Sequence, residues 1–169
     1  MPRTSFSSLP DSARLWVFAC DPVPAGTAKS LLLNAADDFL DRWQAHGEPL
    51  TCARDWRDER FLAIAVDQST AGASGCSIDG LFRTLRSLEI SIGSRIVGGG
   101  SVFFRSADGS VNCVSRDEFS ALAERGYATR ATKVFDTAIS TAREWRERFE
   151  IAAADSWHSV LMPEPADRG

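Results

Sequence analysis

An α+β fold is what the sequence predicts, on three observations. Two short runs, Leu15-Trp16-Val17-Phe18-Ala19-Cys20 and Phe61-Leu62-Ala63-Ile64-Ala65-Val66, are apolar without alternation, the pattern of strands covered on both faces. Each run is followed by a segment with apolar residues at helical spacing. Between the first such segment and the second run, 50–56 has the length and composition of one more strand.

Taken in order, the first strand stops at Asp21-Pro22, and a helix is expected over 27–46. Leu32, Ala35, Ala36, Phe39, Leu40 and Trp43 share one face of it, with Gly47 suited to the left-handed position after its end. Strand 50–56 turns through Arg57-Asp58-Glu59 into 61–66. A second helix over 76–92 buries Leu81, Phe82, Leu85 and Leu88. Residues 96–104 read as a strand interrupted by Gly98-Gly99-Gly100, which marks a bulge or a close backbone approach. Ala107-Asp108-Gly109 turns the chain into a hairpin partner at 111–114. Ser115-Arg116-Asp117-Glu118 is a capping box opening a short helix that stops at Gly126. A last helix is expected over 133–149, with Phe135, Ile139, Ala142 and Trp145 on its buried stripe.

The first six elements follow the order β-α-β-β-α-β of a ferredoxin-like split core, extended by a strand and two helices. The first and third strands are expected as its central, parallel pair, with the last helix or a second copy of the chain covering the remaining sheet face. A three-layer α/β arrangement is the alternative. One domain is expected over 13–161, between a flexible N-terminus at 1–12 and a polar tail at 162–169, because 169 residues suit a single core.

Composition excludes several classes. The net charge of −4 argues against a general nucleic-acid binder, which needs a basic face. Arg125, Arg130 and Lys133, and likewise Arg143, Arg146 and Arg148, read as solvated surface. No apolar run reaches the ~18–20 residues of a membrane span, and the start lacks a signal-peptide core, so a cytoplasmic protein is expected. Cys20, Cys52, Cys76 and Cys113 form no CxxC pair, and with two histidines a zinc site of ordinary spacing is not expected. The sequence names no cofactor.

The most distinctive segment is the small, polar, glycine-containing turn after the third strand. With parallel central strands, Asp21 and Asp67 would meet beside the start of the second helix, where open sheets commonly hold ligands. The candidate site is therefore Asp21, Asp67, Ser69, Thr70, Gly72, Ser74, Gly75, Cys76, Ser77 and Asp79. Three readings stand. The turn can cradle a phosphorylated small molecule or nucleotide on free helix N–H groups, with a metal bridging Asp67 and Asp79 to the phosphate. Cys76 can act as a nucleophile whose thiolate the helix dipole favours, with His46 or His158 as base. Or the turn only joins strand to helix, in a protein that docks a partner or a second copy. Gly26-Thr27-Ala28-Lys29-Ser30 lacks the glycines of a Walker A loop, and Cys76 lacks the arginine of a cysteine-phosphatase loop, since Phe82 holds that position.

Several segments together resemble a small bacterial family whose members carry the label "ABC transporter ATPase". They are Gln44-Ala45-His46-Gly47, Arg60-Phe61 through Val66-Asp67, Ala73-Ser74-Gly75-Cys76-Ser77-Ile78-Asp79, Asp117-Glu118-Phe119, Val134-Phe135 and Ser156-Trp157-His158. The resemblance spans about residues 15–160 and implies a site drawn from His46, Asp67, Cys76, Ser77, Asp79 and His158. The label would imply a transport motor, but the chain carries neither a Walker A loop nor an LSGGQ-like signature.

Overall fold

The computed structural model describes residues 3–69, 75–97 and 99–165, and at 75 and 76 the backbone alone. In chain order the elements are β1 (Arg14–Asp21), α1 (Thr27–Asp41), β2 (Gln44–Ala45), β3 (Glu48–Pro49), β4 (Thr51–Arg57), β5 (Phe61–Asp67), α2 (Gly75–Arg86), α3 (Glu89–Ile92), β6 (Arg95–Val97) and β7 (Ser101–Arg105). They continue as β8 (Val111–Ser115), α4 (Arg116–Glu124), β9 (Lys133–Phe135), α5 (Ala142–Glu147) and β10 (Glu150–Ala152), with short 3-10 turns at both ends of the chain. The fold is α+β, and every pairing between these strands is antiparallel. The described residues form two compact units, 3–97 with 137–147 and 99–136 with 148–165.

Unit 1 is a four-stranded sheet in the order β4-β5-β1-β6. Its central strands are antiparallel, Arg14 facing Val66 and Ala19 facing Phe61, so the expected parallel pairing is corrected. The reason lies in the connections. β4 and β5 form a hairpin through Asp58 and Glu59, which lets β5 return beside β1 in the opposite sense. Both faces of β1 and β5 are covered, as their lack of alternation implies. Phe18, Cys20, Leu62, Ile64 and Val66 face α1 and α2, against Leu32, Ala36, Leu40, Leu81 and Leu85.

The opposite face carries Ala53, Asp55 and Arg57 of β4, and part of its cover comes from the distant segment 137–147. Leu15 N–H donates to the Ser140 carbonyl and Ala142 N–H to the Ala13 carbonyl. Trp145 is fully buried: its Nε1 donates to Asp55 Oδ2 at 2.8 Å, and the Arg57 guanidinium lies 4.3 Å above its ring. Arg57 also donates to the Trp145 carbonyl at 2.7 Å.

Unit 2 is a sheet in the order β10-β9-β7-β8. Val102, Phe119, Ala123, Ala128, Val134 and Ala153 make its core, beneath α4 and the 3-10 segments Ala153–Asp155 and Trp157–Leu161. The expected hairpin joins β7 to β8, and the expected capping box opens α4, with Glu118 N–H on Ser115 Oγ and Ser115 N–H on the Glu118 carboxylate. Gly126 follows α4 at φ 79°.

Four element boundaries differ from expectation. The first helix ends at Asp41 because His46 and Gly47, at φ 53° and 81°, make the two-residue turn of the β2–β3 hairpin. The second helix breaks after Arg86, where the Ser87 hydroxyl donates to the Thr84 carbonyl, and resumes as α3. The 96–104 strand is two strands in separate sheets, one ending at Val97 and the other starting at Ser101. The 133–149 helix is β9, an irregular stretch and α5, whose start Thr141 caps by accepting from Glu144 N–H at 3.2 Å. The anticipated stripe is nonetheless buried at all four positions.

Trp145 closes the second face of unit 1, so its loss is expected to be severe. Trp145→Ala should cost about 3–5 kcal/mol in urea denaturation. Trp145→Phe, which keeps most of the ring and loses the bond to Asp55, should cost about 1–2 kcal/mol.

Candidate functional site

The antiparallel ladder separates the two aspartates expected to meet. Asp67 lies beyond the Arg14–Val66 pair, while Asp21 ends β1 opposite Arg95 of β6. At ~3.3 Å per residue they stand roughly 25 Å apart along the strands. Asp21 therefore belongs to the other end of the sheet, and no joint site with Asp67 forms.

At the Asp67 end, the register places its side chain on the face of Ala63 and Ala65, away from α1 and α2. Its Oδ1 accepts the Ser69 N–H at 2.9 Å, an Asx turn that starts the loop. The Ser69 backbone N–H, and then its hydroxyl, hold the Asp67 carboxyl below the usual carboxylate range. Thr70, Gly72 and Ser74 lie outside the described residues. α2 begins at Gly75, so Cys76 falls in its first turn. Ser77 follows, half-buried, and Asp79 is exposed one turn on, beside Phe82, Arg83 and Arg86.

Ser77 opens onto a cleft of about 430 Å³ between the C-terminal end of α1 and the first turns of α2. Phe39, Arg42, Trp43, Gln44 and Gly80 complete its lining. The rings of Phe39 and Trp43 are 5.5 Å apart and tilted, forming an aromatic wall. Arg42 Nε donates to the Asp38 carbonyl at 3.1 Å, and no ion pair holds its guanidinium among the described residues. Gly80 leaves room here, since a Cβ at that position would sit 3.8 Å from the Phe39 ring. Leu50 N–H donates to the Trp43 carbonyl, which ties this corner to the start of β4 and so to the Asp67 end of the sheet.

Comparison with protein-family models, with curated proteins and with solved structures finds no match. The chemistry must be read from the residues themselves.

His46 is exposed in the β2–β3 turn, two residues after Gln44, and is not at a helix end as expected. His158 belongs to unit 2, where it is 1% exposed, with Nδ1 2.7 Å from Ser156 Oγ and its ring stacked 3.9 Å from Trp157. Phe119 meets the same ring edge-on, and Nε2 has no partner among the described residues. Burial pushes the Cys20 thiol up to about 11 and the Cys52 thiol up to about 12, so both behave as small hydrophobes. Among the described residues no helix is long and apolar enough to cross a membrane, and no group of three or more His, Cys, Asp or Glu side chains is arranged to hold a metal ion.

Sequence reasoning missed Phe39, Arg42, Trp43, Gln44 and Gly80. The aromatics were absorbed into the helical stripe, and the cleft arises only because the chain leaves the helix at Arg42. Gly80 did carry a signal: glycine in mid-helix costs about 1 kcal/mol relative to alanine, which suggests that the space above it matters.

Burial, and then the charge of Arg116, push the His158 imidazole from 6.5 down to about 4. The unfolded chain therefore takes up this proton first. The stability attached to neutral His158 is complete above pH ~6.5 and is lost as pH falls toward 4, by up to about 3 kcal/mol. Urea denaturation from pH 7 to 4 should show that loss in the native chain and a correspondingly flatter profile in His158→Phe.

Proposed function

We propose that the chain binds a phosphorylated small molecule or nucleotide at the cleft between α1 and the start of α2. The observation that carries this reading is the coincidence of three features in one cleft: an aromatic wall, an arginine with no ion pair among the described residues and the opening turns of a twelve-residue helix. Backbone N–H groups at a helix start favour an anion, and Arg42 adds the full charge that the dipole lacks. Phe39 and Trp43 offer an apolar surface to the remainder of the ligand. Asp67 serves by holding the loop at Ser69 rather than by touching the ligand. Binding by a resident cytoplasmic protein, with reduced cysteines, fits the same reading.

The finer fold proposal is that unit 1 is a ferredoxin-like split core. The order β4-β5-β1-β6, with α1 and α2 packed on one face, supports it, since it is the order two interleaved β-α-β halves produce. Membership of the "ABC transporter ATPase" family would add a shared site and no transport activity.

A second reading makes Cys76 a nucleophile, and the start of α2 at Gly75 favours it, because a first-turn thiolate gains from the dipole. Alkylation of Cys76 with an apparent pKa well below ~8.5 would support this reading, and an ordinary thiol would remove it.

The test of the main proposal is a thermal-shift panel of nucleotides and sugar phosphates, with and without Mg²⁺. A ligand at ~100 times its Kd stabilises by about 2.7 kcal/mol, a rise of roughly 5–10 °C. Gly80→Ala should keep that response and raise basal stability by up to about 1 kcal/mol. Gly80→Leu, which fills the cleft, and Arg42→Gln should both abolish it. A panel with no response, or one that Gly80→Leu leaves intact, would refute the proposal.

A further inference from the structure

Unit 2 carries a second cleft, which the reading above does not use. It measures about 640 Å³ and lies between the end of β7, α4 and the segment 127–133. Phe104 and Leu122 line it and pack onto the core of unit 2, so its floor is apolar and backed by a fixed surface. Tyr127, the chain's single tyrosine, also lines it, yet is 76% exposed. That exposure is not the result of a loose chain. Gly126 turns the backbone at φ 79°, and the N–H groups of Tyr127 and Ala128 both reach the Leu122 carbonyl, at 2.9 and 3.3 Å. A closed turn forms the facing wall, with Thr129 N–H on Thr132 Oγ1 at 2.8 Å and Thr132 N–H on the Thr129 carbonyl at 3.0 Å.

The charged residues that line this cleft, Arg105 and Lys133, are both cations. Arg105 is committed to Glu150 through two bonds, at 2.6 and 3.2 Å, and to the Gly109 carbonyl. Lys133 lines the cleft and Arg130 sits between two residues that line it. Both are exposed, and no ion pair ties either one among the described residues. Among the described residues no carboxylate lines the cleft. In a chain of net charge −4, this rim is a local reversal of sign.

We infer that this cleft binds a small aromatic anion, its ring against Tyr127 and Phe104 and its acid group toward Lys133 and Arg130. An exposed ring over an apolar floor favours a flat partner, and two uncommitted cations favour an acid. The volume suits one small molecule.

The single tyrosine makes the test direct. The full chain labelled with 3-fluorotyrosine has one ¹⁹F resonance, from Tyr127. It is titrated at pH 7 with 2-naphthoate, 2-naphthyl phosphate, inorganic phosphate and a short single-stranded oligothymidylate. The expected result is a saturable, salt-weakened shift with at least one of the aryl anions, and no shift with inorganic phosphate. Arg130→Glu/Lys133→Glu should weaken binding about tenfold or more while its circular dichroism stays native. Gly80→Leu should leave the titration unchanged, which separates this site from the cleft of unit 1. A resonance that neither aryl anion moves, binding that survives the charge reversal, or an oligothymidylate that binds more tightly than both aryl anions would overturn the inference.

Discussion

In unit 1, β1 and β5 are apolar on both faces and lie side by side in opposite directions. An antiparallel pair with no solvated face has to be covered twice, and the rest of the unit follows from that requirement. α1 and α2 supply one cover, and their ends define the aromatic cleft. Part of the cover on the second face comes from farther along the chain, where Ala142 and Trp145 return to it. The direction of the ladder also decides which loops share an end of the sheet. That is why Asp67 and Asp21 lie at opposite ends of the strands.

Much of this was legible in the residues, though unevenly. Unalternating apolar runs marked β1 and β5 as strands covered on both faces, and Ser115 with Glu118 marked the start of α4 through a purely local reciprocal bond. What local pattern could not carry was strand direction, which depends on how the connections fold back. The residues 133–149 show a different failure. Phe135, Ile139, Ala142 and Trp145 are spaced as on a helix and are all buried, yet the first belongs to a strand of one unit and the others to a segment of the other unit. Burial was readable there, and geometry was not. The Gly47 signal was real but belonged to a hairpin turn, a motif with the same appetite for positive φ as a helix end.

The candidate site follows the same division. Ser77 and the start of α2 were placed by the break between strand and helix. Phe39, Arg42, Trp43 and Gln44 entered through the early end of α1, which only the β2–β3 hairpin explains. Two clefts of similar size thus sit on separate units, one beside a helix start and the other beside an exposed tyrosine with cations around it. They are built on the same rule, an apolar floor with one sign of charge at the edge.

The excursion of the chain between β9 and β10 has a consequence for how the protein is made. Asp136 N–H donates to the Phe149 carbonyl at 2.9 Å, so the chain leaves unit 2 and returns to it at one neck. A part of what covers the second face of the first-synthesised sheet, Trp145 included, lies in that loop. As the chain leaves the ribosome, β1, α1, β4 and β5 can assemble early, but one side of their sheet stays greasy until translation has passed residue 147. The nascent chain therefore carries an unfinished surface through most of its synthesis. Chaperone demand should fall when Trp145 emerges, and not when the first sheet is complete in sequence.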